Sequence, residues 1–366
     1  MNIRLLGWND FFEANFAPYM DNSLSPARVA RRDRTSWLLY HTEGETVGEL
    51  SGKFRREITD TSAWPAVGDW VAVSPEGDGA PCIIHAVLPR QSCLSRKAAS
   101  SGGMPDSGGR TDEQVLAANI DTAFLVSGLD LDFNIRRLER YLATAYDCGA
   151  RPVVVLNKSD LCQDVESVIA EVESVAVGVD ILTISATEGT GLEQMDRYIE
   201  GNQTIVLLGS SGVGKSTIIN RLIGSEALKT APVRESDNRG RHTTTWREMI
   251  PLPSGGVLID SPGMRELQAW INEDSLKRTF DDIEALAKNC RFRDCRHQGE
   301  PGCAVEAAVA EGELDPERLD SFHKLKKEMR FLEERRSGKA ARMDRVRGRQ
   351  MASRVKEVNK MNKKRH

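Results

Sequence analysis

TIVLLGSSGVGKST, residues 204–217, sets an apolar run from Ile205 to Leu208 directly before a Gly/Ser turn that ends in Lys215 and Ser216. A continuous apolar run of this length reads as a buried parallel strand. The turn that follows has P-loop spacing, with a predicted strand before it and a predicted helix after it, which is the context the pattern requires. Gly209, Ser210, Ser211, Gly212, Val213 and Gly214 can curl successive backbone N–H groups around phosphates, and the helix N-terminus adds positive potential. Lys215 is expected to reach the β and γ phosphates as a catalytic charge, Ser216 to ligate Mg²⁺, and Thr217 to complete the phosphate-binding set. The competing reading is a Gly-rich turn without a ligand.

A P-loop alone does not separate ATP from GTP. Upstream, PVVVL at 152–156 runs into Asn157-Lys158-Ser159-Asp160, and ILTIS at 181–185 runs into Ser185-Ala186-Thr187. Both fall at strand carboxyl ends, where open α/β sheets bind ligands. Asp160 can accept from N1–H and the 2-amino group of guanine, whereas adenine offers no amino group there. Asn157 can bond the base's other edge, the Lys158 stem can cover one face, and a backbone N–H of the Ser185-Ala186 turn can donate to the guanine oxygen. Each motif alone reads equally well as a strand-end turn.

Downstream, the polar stretch ESDNRGRHTTT at 235–245 suits a switch that brings a Thr243 or Thr244 hydroxyl to Mg²⁺ and the γ phosphate. GVLID at 256–260 then leads into Asp260-Ser-Pro-Gly263, where Asp260 can hold Mg²⁺ through water and the Gly263 N–H can meet the γ phosphate. Many GTPases orient the attacking water with a Gln after that glycine. Here the position is Met264, whose thioether cannot do so, and His242 is the nearest polar candidate. The base motifs precede the P-loop and the switches follow it, so the usual cycle is cut after the second switch.

Around this core, strand-like runs alternate with amphipathic helices from residue 112 to about 270, predicting a parallel α/β sheet. Before it, Ser36–Tyr40, Thr46–Leu50, Asp69–Val73 and Cys82–Leu88 read as strands of a small β-barrel over 35–98, after an N-terminal extension over 1–34. Residues 99–111, rich in Gly and Ser, read as a flexible linker. Residues 271–336 turn helical and charged, and 337–366 form a basic tail.

Composition bounds the rest. At 366 residues the chain should hold two or three domains. Its first twenty residues contain Asp10 and Glu13 and no apolar run, and no stretch is long enough to span a bilayer, so cytoplasmic, membrane-free action as a monomer is expected. The formal charge of −4 hides 13 Lys and Arg from Arg335 to His366, set against Asp344 and Glu357, on a body about fifteen charges negative. Such a tail suits a polyanion, or is simply solvated. Seven cysteines, an odd and uneven set, argue against a disulfide framework. Cys290, Cys295, His297 and Cys303 have the ligand types and spacing of a closed structural Zn²⁺ site.

Together these residues resemble the circularly permuted, small-subunit-dependent GTPases of the RsgA (YjeQ, EngC) family. The resemblance rests on NKSD, SAT, GSSGVGKST, GRHTTT, DSPG and NCRFRDCRHQGEPGCAV, and covers about residues 35–335. It implies an N-terminal OB-fold, a permuted GTPase core and a C-terminal zinc domain. It also implies a role in late maturation of the small ribosomal subunit through contact with rRNA, and points to His242 in catalysis. The expected function is subunit-stimulated GTP hydrolysis; the alternative is a GTP-gated rRNA-binding adaptor whose hydrolysis only resets binding. NKSD disfavours a P-loop ATPase or kinase.

Overall fold

The computed structural model describes residues 1–20, 23–58, 61–74, 80–97, 113–224, 248–260 and 271–336. Five strands close a barrel: β1 (Ser25–Arg32), β2 (Trp37–His41), β3 (Gly44–Leu50), β4 (Trp70–Ser74) and β5 (Cys82–Val87). They run in the order β1-β2-β3-β5-β4, and β4 pairs back onto β1. Only β3 and β5 are parallel, which is OB-fold connectivity. Alternate residues fill the interior, Ala27 and Val29, Trp37 and Leu39, Val71 and Val73, Cys82 and Ile84, as the two-residue period of a strand dictates. A short helix, α2 (Gly52–Glu57), follows β3. Before the barrel, α1 (Asp10–Met20) lays Phe12 and Phe16 beside Trp8, whose ring meets Trp70 edge-on at 4.8 Å.

Both barrel boundaries differ from the sequence reading. Ser25–Arg32, assigned there to an N-terminal extension, supplies the first strand; its Pro26, Arg28, Arg31 and Arg32 disguise it as surface chain. At the other end β6 (Cys93–Lys97) leaves the barrel and pairs antiparallel with β7 (Glu113–Ala118). The Gly/Ser-rich stretch at 99–111 and the basic tail at 337–366 lie outside the described residues.

The α/β core follows with β8 (Thr122–Gly128), α3 (Ile135–Cys148), β9 (Arg151–Asn157), α4 (Val165–Val175), β10 (Asp180–Thr183), β11 (Thr204–Leu208), α5 (Lys215–Ile223), β12 (Glu248–Pro251) and β13 (Val257–Asp260). In space the order is β10-β9-β8-β11-β13-β12, parallel except for β12. The carboxyl ends of β8, β9, β10, β11 and β13 therefore share one edge. At the far side β12 pairs with β1 through Arg31 and Glu248, so the barrel and the core form one sheet of eleven strands.

Four helices complete the described chain: α6 (Glu273–Thr279), α7 (Asp281–Ala287), α8 (Ala304–Glu311) and α9 (Pro316–Arg336). Leu276, Phe280, Ile283, Val305, Phe322 and Leu325 are buried in their core. Arg318 of α9 binds Asp282 with two nitrogens, at 2.6 and 2.8 Å, and reaches Glu139 of α3 at 2.9 Å. No described helix is long and apolar enough to cross a membrane.

The barrel is pinned to the core by Arg28, which is only 1% exposed. Its guanidinium donates to Leu6 O, to Gly68 O at 3.1 Å, to Asn119 O at 3.3 Å and to Thr204 Oγ1 on β11 at 2.9 Å. Burial lowers its pKa to about 10, which leaves it charged at neutral pH. Four acceptors from four segments thus share one cation. Gly68 O also accepts from Asn119 Nδ2 at 3.1 Å, so Arg28→Met should orphan chiefly the carbonyls of Leu6 and Asn119 and lower unfolding stability by about 3 kcal/mol, since each unmet buried acceptor costs roughly 1–3 kcal/mol. Urea titration would measure this, and a loss below about 1 kcal/mol would contradict the role of Arg28 as a pin.

Candidate functional site

The P-loop turns between β11 and α5 against the end of β8. A Cβ on Gly209 would lie 2.5 Å from Val126 O, so the close approach of β8 admits glycine alone. Lys215 folds back onto the loop, its ammonium donating to Gly209 O at 2.7 Å and Ser210 O at 2.5 Å. Gly214 has φ of +97°, and a Cβ there would stand 2.2 Å from the Asn157 amide nitrogen.

Asn157 explains why that space is kept clear. At 2% exposure, its Nδ2 donates to Val213 O at 2.8 Å and its Oδ1 accepts from Ala186 N at 3.0 Å. One side chain from β9 therefore ties the P-loop to the Ser185-Ala186 turn after β10. This amide, expected at a base edge, is bonded to protein through both its oxygen and its nitrogen, and among the described residues its second hydrogen has no partner. Arg221 of α5 holds the same turn from the other side, donating to Ala186 O at 3.1 Å and Thr187 O at 2.7 Å. Ser185 is buried, and its Oγ accepts from Glu188 N at 3.2 Å. Ser159 N donates to Ile184 O at 3.1 Å, which sets the two base motifs side by side. Asp160 stands exposed on the short turn Ser159–Leu161. Lys158, with φ of +65°, pairs its ammonium with Asp130 at 2.5 Å.

Asp260 ends β13 on the same edge. Burial pushes its carboxyl up from the ordinary aspartate range, with the Lys215 charge opposing. A desolvated carboxylate beside the P-loop fits a cation, and Ser216, in the first turn of α5, fits the same task. His242, Thr243, Thr244 and Gly263 lie outside the described residues.

The sequence motifs do not contain Asp130, Asp132 and Arg137, which follow β8. Asp132 accepts from Ser210 Oγ at 2.9 Å, and Arg137 donates to the same hydroxyl at 2.9 Å. The bond from Arg137 holds the Asp132 carboxyl below its usual range, against the desolvation that opposes it. Their signal was the one used for NKSD, polar residues at the end of an apolar strand.

The second cluster sits between α7 and α8. Cys290, Cys295, His297 and Cys303 bring one ligand atom each within 4.8 Å of one another. Cys290 Sγ lies 3.6 Å from His297 Nδ1 and 3.9 Å from Cys303 Sγ, and His297 Nδ1 lies 3.4 Å from Cys303 Sγ. A tetrahedral zinc ion with ordinary bond lengths sets such atoms about 3.5–3.8 Å apart, close to the separations among Cys290, His297 and Cys303, and Cys295 lies within 4.8 Å of all three, so the donor set suits one ion. Cys303 also caps α8, its Sγ accepting from Glu306 N at 3.5 Å. His323 of α9, which carries no motif, contacts His297 O at 3.1 Å through Nε2 and so ties α9 to the cluster.

A parallel sheet whose base motifs come before the phosphate loop in the chain, yet share an edge with it, defines a circularly permuted P-loop GTPase. The RsgA GTPase family model matches residues 87–270. The chain is 46% identical over 356 residues to a small ribosomal subunit biogenesis GTPase RsgA of Opitutus terrae, covering 95% of each. It is 39% identical to the protein of that name from Methanosarcina acetivorans, covering 98% of this chain and 94% of the other. Among solved structures, YjeQ from Thermotoga maritima is similar with a TM-score of 0.62 and 26% identity, over 84% of this chain and 98% of that one. YloQ, described as a circularly permuted GTPase, reaches a TM-score of 0.57 at 25% identity, over 84% and 95%. The chain belongs to the RsgA GTPase family and is a GTP hydrolase.

Gly214→Ala should collide with the Asn157 amide and force a non-glycine residue into left-handed backbone, a strain of roughly 1–3 kcal/mol. Guanine-nucleotide affinity, read by fluorescence titration, should fall about tenfold or more. Unchanged affinity would mean that the Asn157 bridge is dispensable to the site.

Proposed function

We propose that this GTPase acts on the small ribosomal subunit during its maturation and that the subunit stimulates its hydrolysis. The observation that carries the GTPase part of the reading is the convergence of the P-loop and both base motifs on one sheet edge, tied by Asn157. The names of the relatives support the choice of particle.

In this reading Asp160 reads guanine, with Asn157, Lys158, Ser159, Ser185 and Ala186 framing the base. Residues 209–217 cradle the phosphates, and the Lys215 ammonium moves from the loop carbonyls to the β and γ phosphates. The Gly263 N–H meets the γ phosphate. Mg²⁺, held by Ser216, Asp260 and either Thr243 or Thr244, neutralises the developing charge. His242 orients the attacking water that Met264 cannot. Cys290, Cys295, His297 and Cys303 hold one structural Zn²⁺, which with four protein ligands keeps no open position. The barrel and the basic tail contact rRNA, in the cytoplasm, with the chain acting as a monomer. The division into barrel, GTPase core to about residue 270, zinc-bearing helices to 336 and tail belongs to the same proposal. Met264 also favours a second reading, a GTP-gated rRNA adaptor, because it makes unaided hydrolysis slow.

Turnover measured with and without small subunits separates the two. Stimulation supports the first, and unaltered turnover with nucleotide-dependent binding supports the adaptor. Asp160→Asn should weaken GTP binding by roughly 1.5–3 kcal/mol, because an amide replaces a charged acceptor facing two donors. Full affinity in that variant would sink the guanine assignment. His242→Ala should lower stimulated turnover about 10²-fold at nearly constant affinity, and wild-type turnover would return His242 to the surface. Cys303→Ser should lose the metal and unfold its small loop while GTP binding persists, since zinc binding at such a site is folding energy. Equal subunit affinity in GTP-analogue and GDP states is expected of that variant; retained discrimination would dissociate the zinc loop from signalling.

A further inference from the structure

Adjacent residues in the first turn of α3 hold different parts of the molecule. Arg137 grips Asp132 with both terminal nitrogens, Nη1 at 2.6 Å and Nη2 at 3.2 Å, and Nη1 also donates to Ser210 Oγ at 2.9 Å. The Ser210 hydroxyl gives its own proton to Asp132, so both of its roles are taken. Its carbonyl is one of the two that receive the Lys215 ammonium. The second residue of the P-loop is thus fixed from its side chain, and the lysine rests on its backbone.

Arg136, one residue earlier, bonds the fully buried Glu139 and Asp315 at the start of α9. Arg318 of α9 meets that same Glu139 oxygen at 2.9 Å, and Arg140 binds Glu328 with two bonds, at 2.7 and 2.9 Å. A turn of helix is a rigid body, so displacing α9 moves the Cα of Arg137 with that of Arg136.

We propose that Arg137 is a positioning residue for the P-loop and that the first turn of α3 makes loop geometry depend on the seating of α9. The inference rests on the P-loop reading of the nucleotide site. Arg137 has two separable effects. Its charge offsets Asp132, a carboxylate that would otherwise repel a polyanion at the loop. Its planar fork spans Asp132 and Ser210 together, which the point charge of a lysine cannot do.

That separation provides the test, using the full chain with Mg²⁺ and GTP. Arg137→Lys keeps the charge and loses the fork, so KM should stay near wild type while kcat falls roughly tenfold. Arg137→Met loses both, so KM should rise as well. Ser210→Ala should lower kcat as Arg137→Lys does, and the double variant should be no worse than either single one. Arg136→Met touches neither the loop nor the nucleotide, yet should lower kcat about threefold at constant KM. Thermal melting identifies any variant that fails to fold, and the conservative Arg137→Lys keeps the inference testable if Arg137→Met does. Wild-type kcat in Arg137→Lys, multiplying losses in the double variant, or wild-type kcat in Arg136→Met would each overturn the proposal. GDP titration of the same proteins distinguishes the failures: no binding by wild type would remove the nucleotide site itself, whereas normal binding with unaltered kcat would remove only the role of Arg137.

Discussion

The rest of the site depends on one buried amide. Asn157 makes two bonds in a place that water does not reach, to the carbonyl of Val213 and the N–H of Ala186. Three loops from β9, β10 and β11 are thereby closed into a single surface. Without the amide, a carbonyl of the P-loop and an N–H of the base turn would both be stranded, at roughly 1–3 kcal/mol each. The glycine at 214 is a consequence of this bridge, because the amide occupies the volume that a side chain would need.

A parallel sheet tolerates the rearranged chain because its hydrogen bonds depend on neighbours in space and carry no record of sequence order. β8, β9 and β10 build outward on one side, after which β11 returns to the free side of β8 and β13 extends beyond it. The loops still emerge on one edge, so the chemistry survives the cut. What changes is the attachment of each end. Only residues 261–272 separate β13 from α6, so the helices around the metal cluster follow directly from the strand that carries Asp260. The same helices lean on α3, whose first turn touches the P-loop, and they therefore meet the nucleotide edge from two directions.

The apolar runs of the core were legible because a strand buried on both faces has to read as continuous Val, Leu and Ile, and β9 and β11 do. The clustering of Cys290, Cys295, His297 and Cys303 was legible because the geometry of a zinc site restricts both residue type and spacing, and the structure brings the four together. β1 was not, since its arginines look solvated until Arg28 is seen buried among backbone carbonyls drawn from distant segments. The bridging bonds of Asn157 were not legible either, because a motif identifies the position of an amide and leaves its protein partners open. Asp130, Asp132, Arg137 and Arg318 belong to no motif. Their significance lies in pairings between residues tens to hundreds of positions apart, which periodicity and spacing do not encode.

The pairing of β1 with β12 has a consequence for solubility. An α/β sheet that ended at β12 would present a row of unpaired N–H and C=O groups, a template for another chain. Here the barrel docks on that side through Arg31 and Glu248 and continues the sheet until it closes on itself. The opposite edge, β10, is four residues long and begins with Asp180, which is paired to Arg151, so it is short and charged. The barrel therefore serves the core as a cap against edge-to-edge aggregation, a service independent of whatever its outer surface recognises.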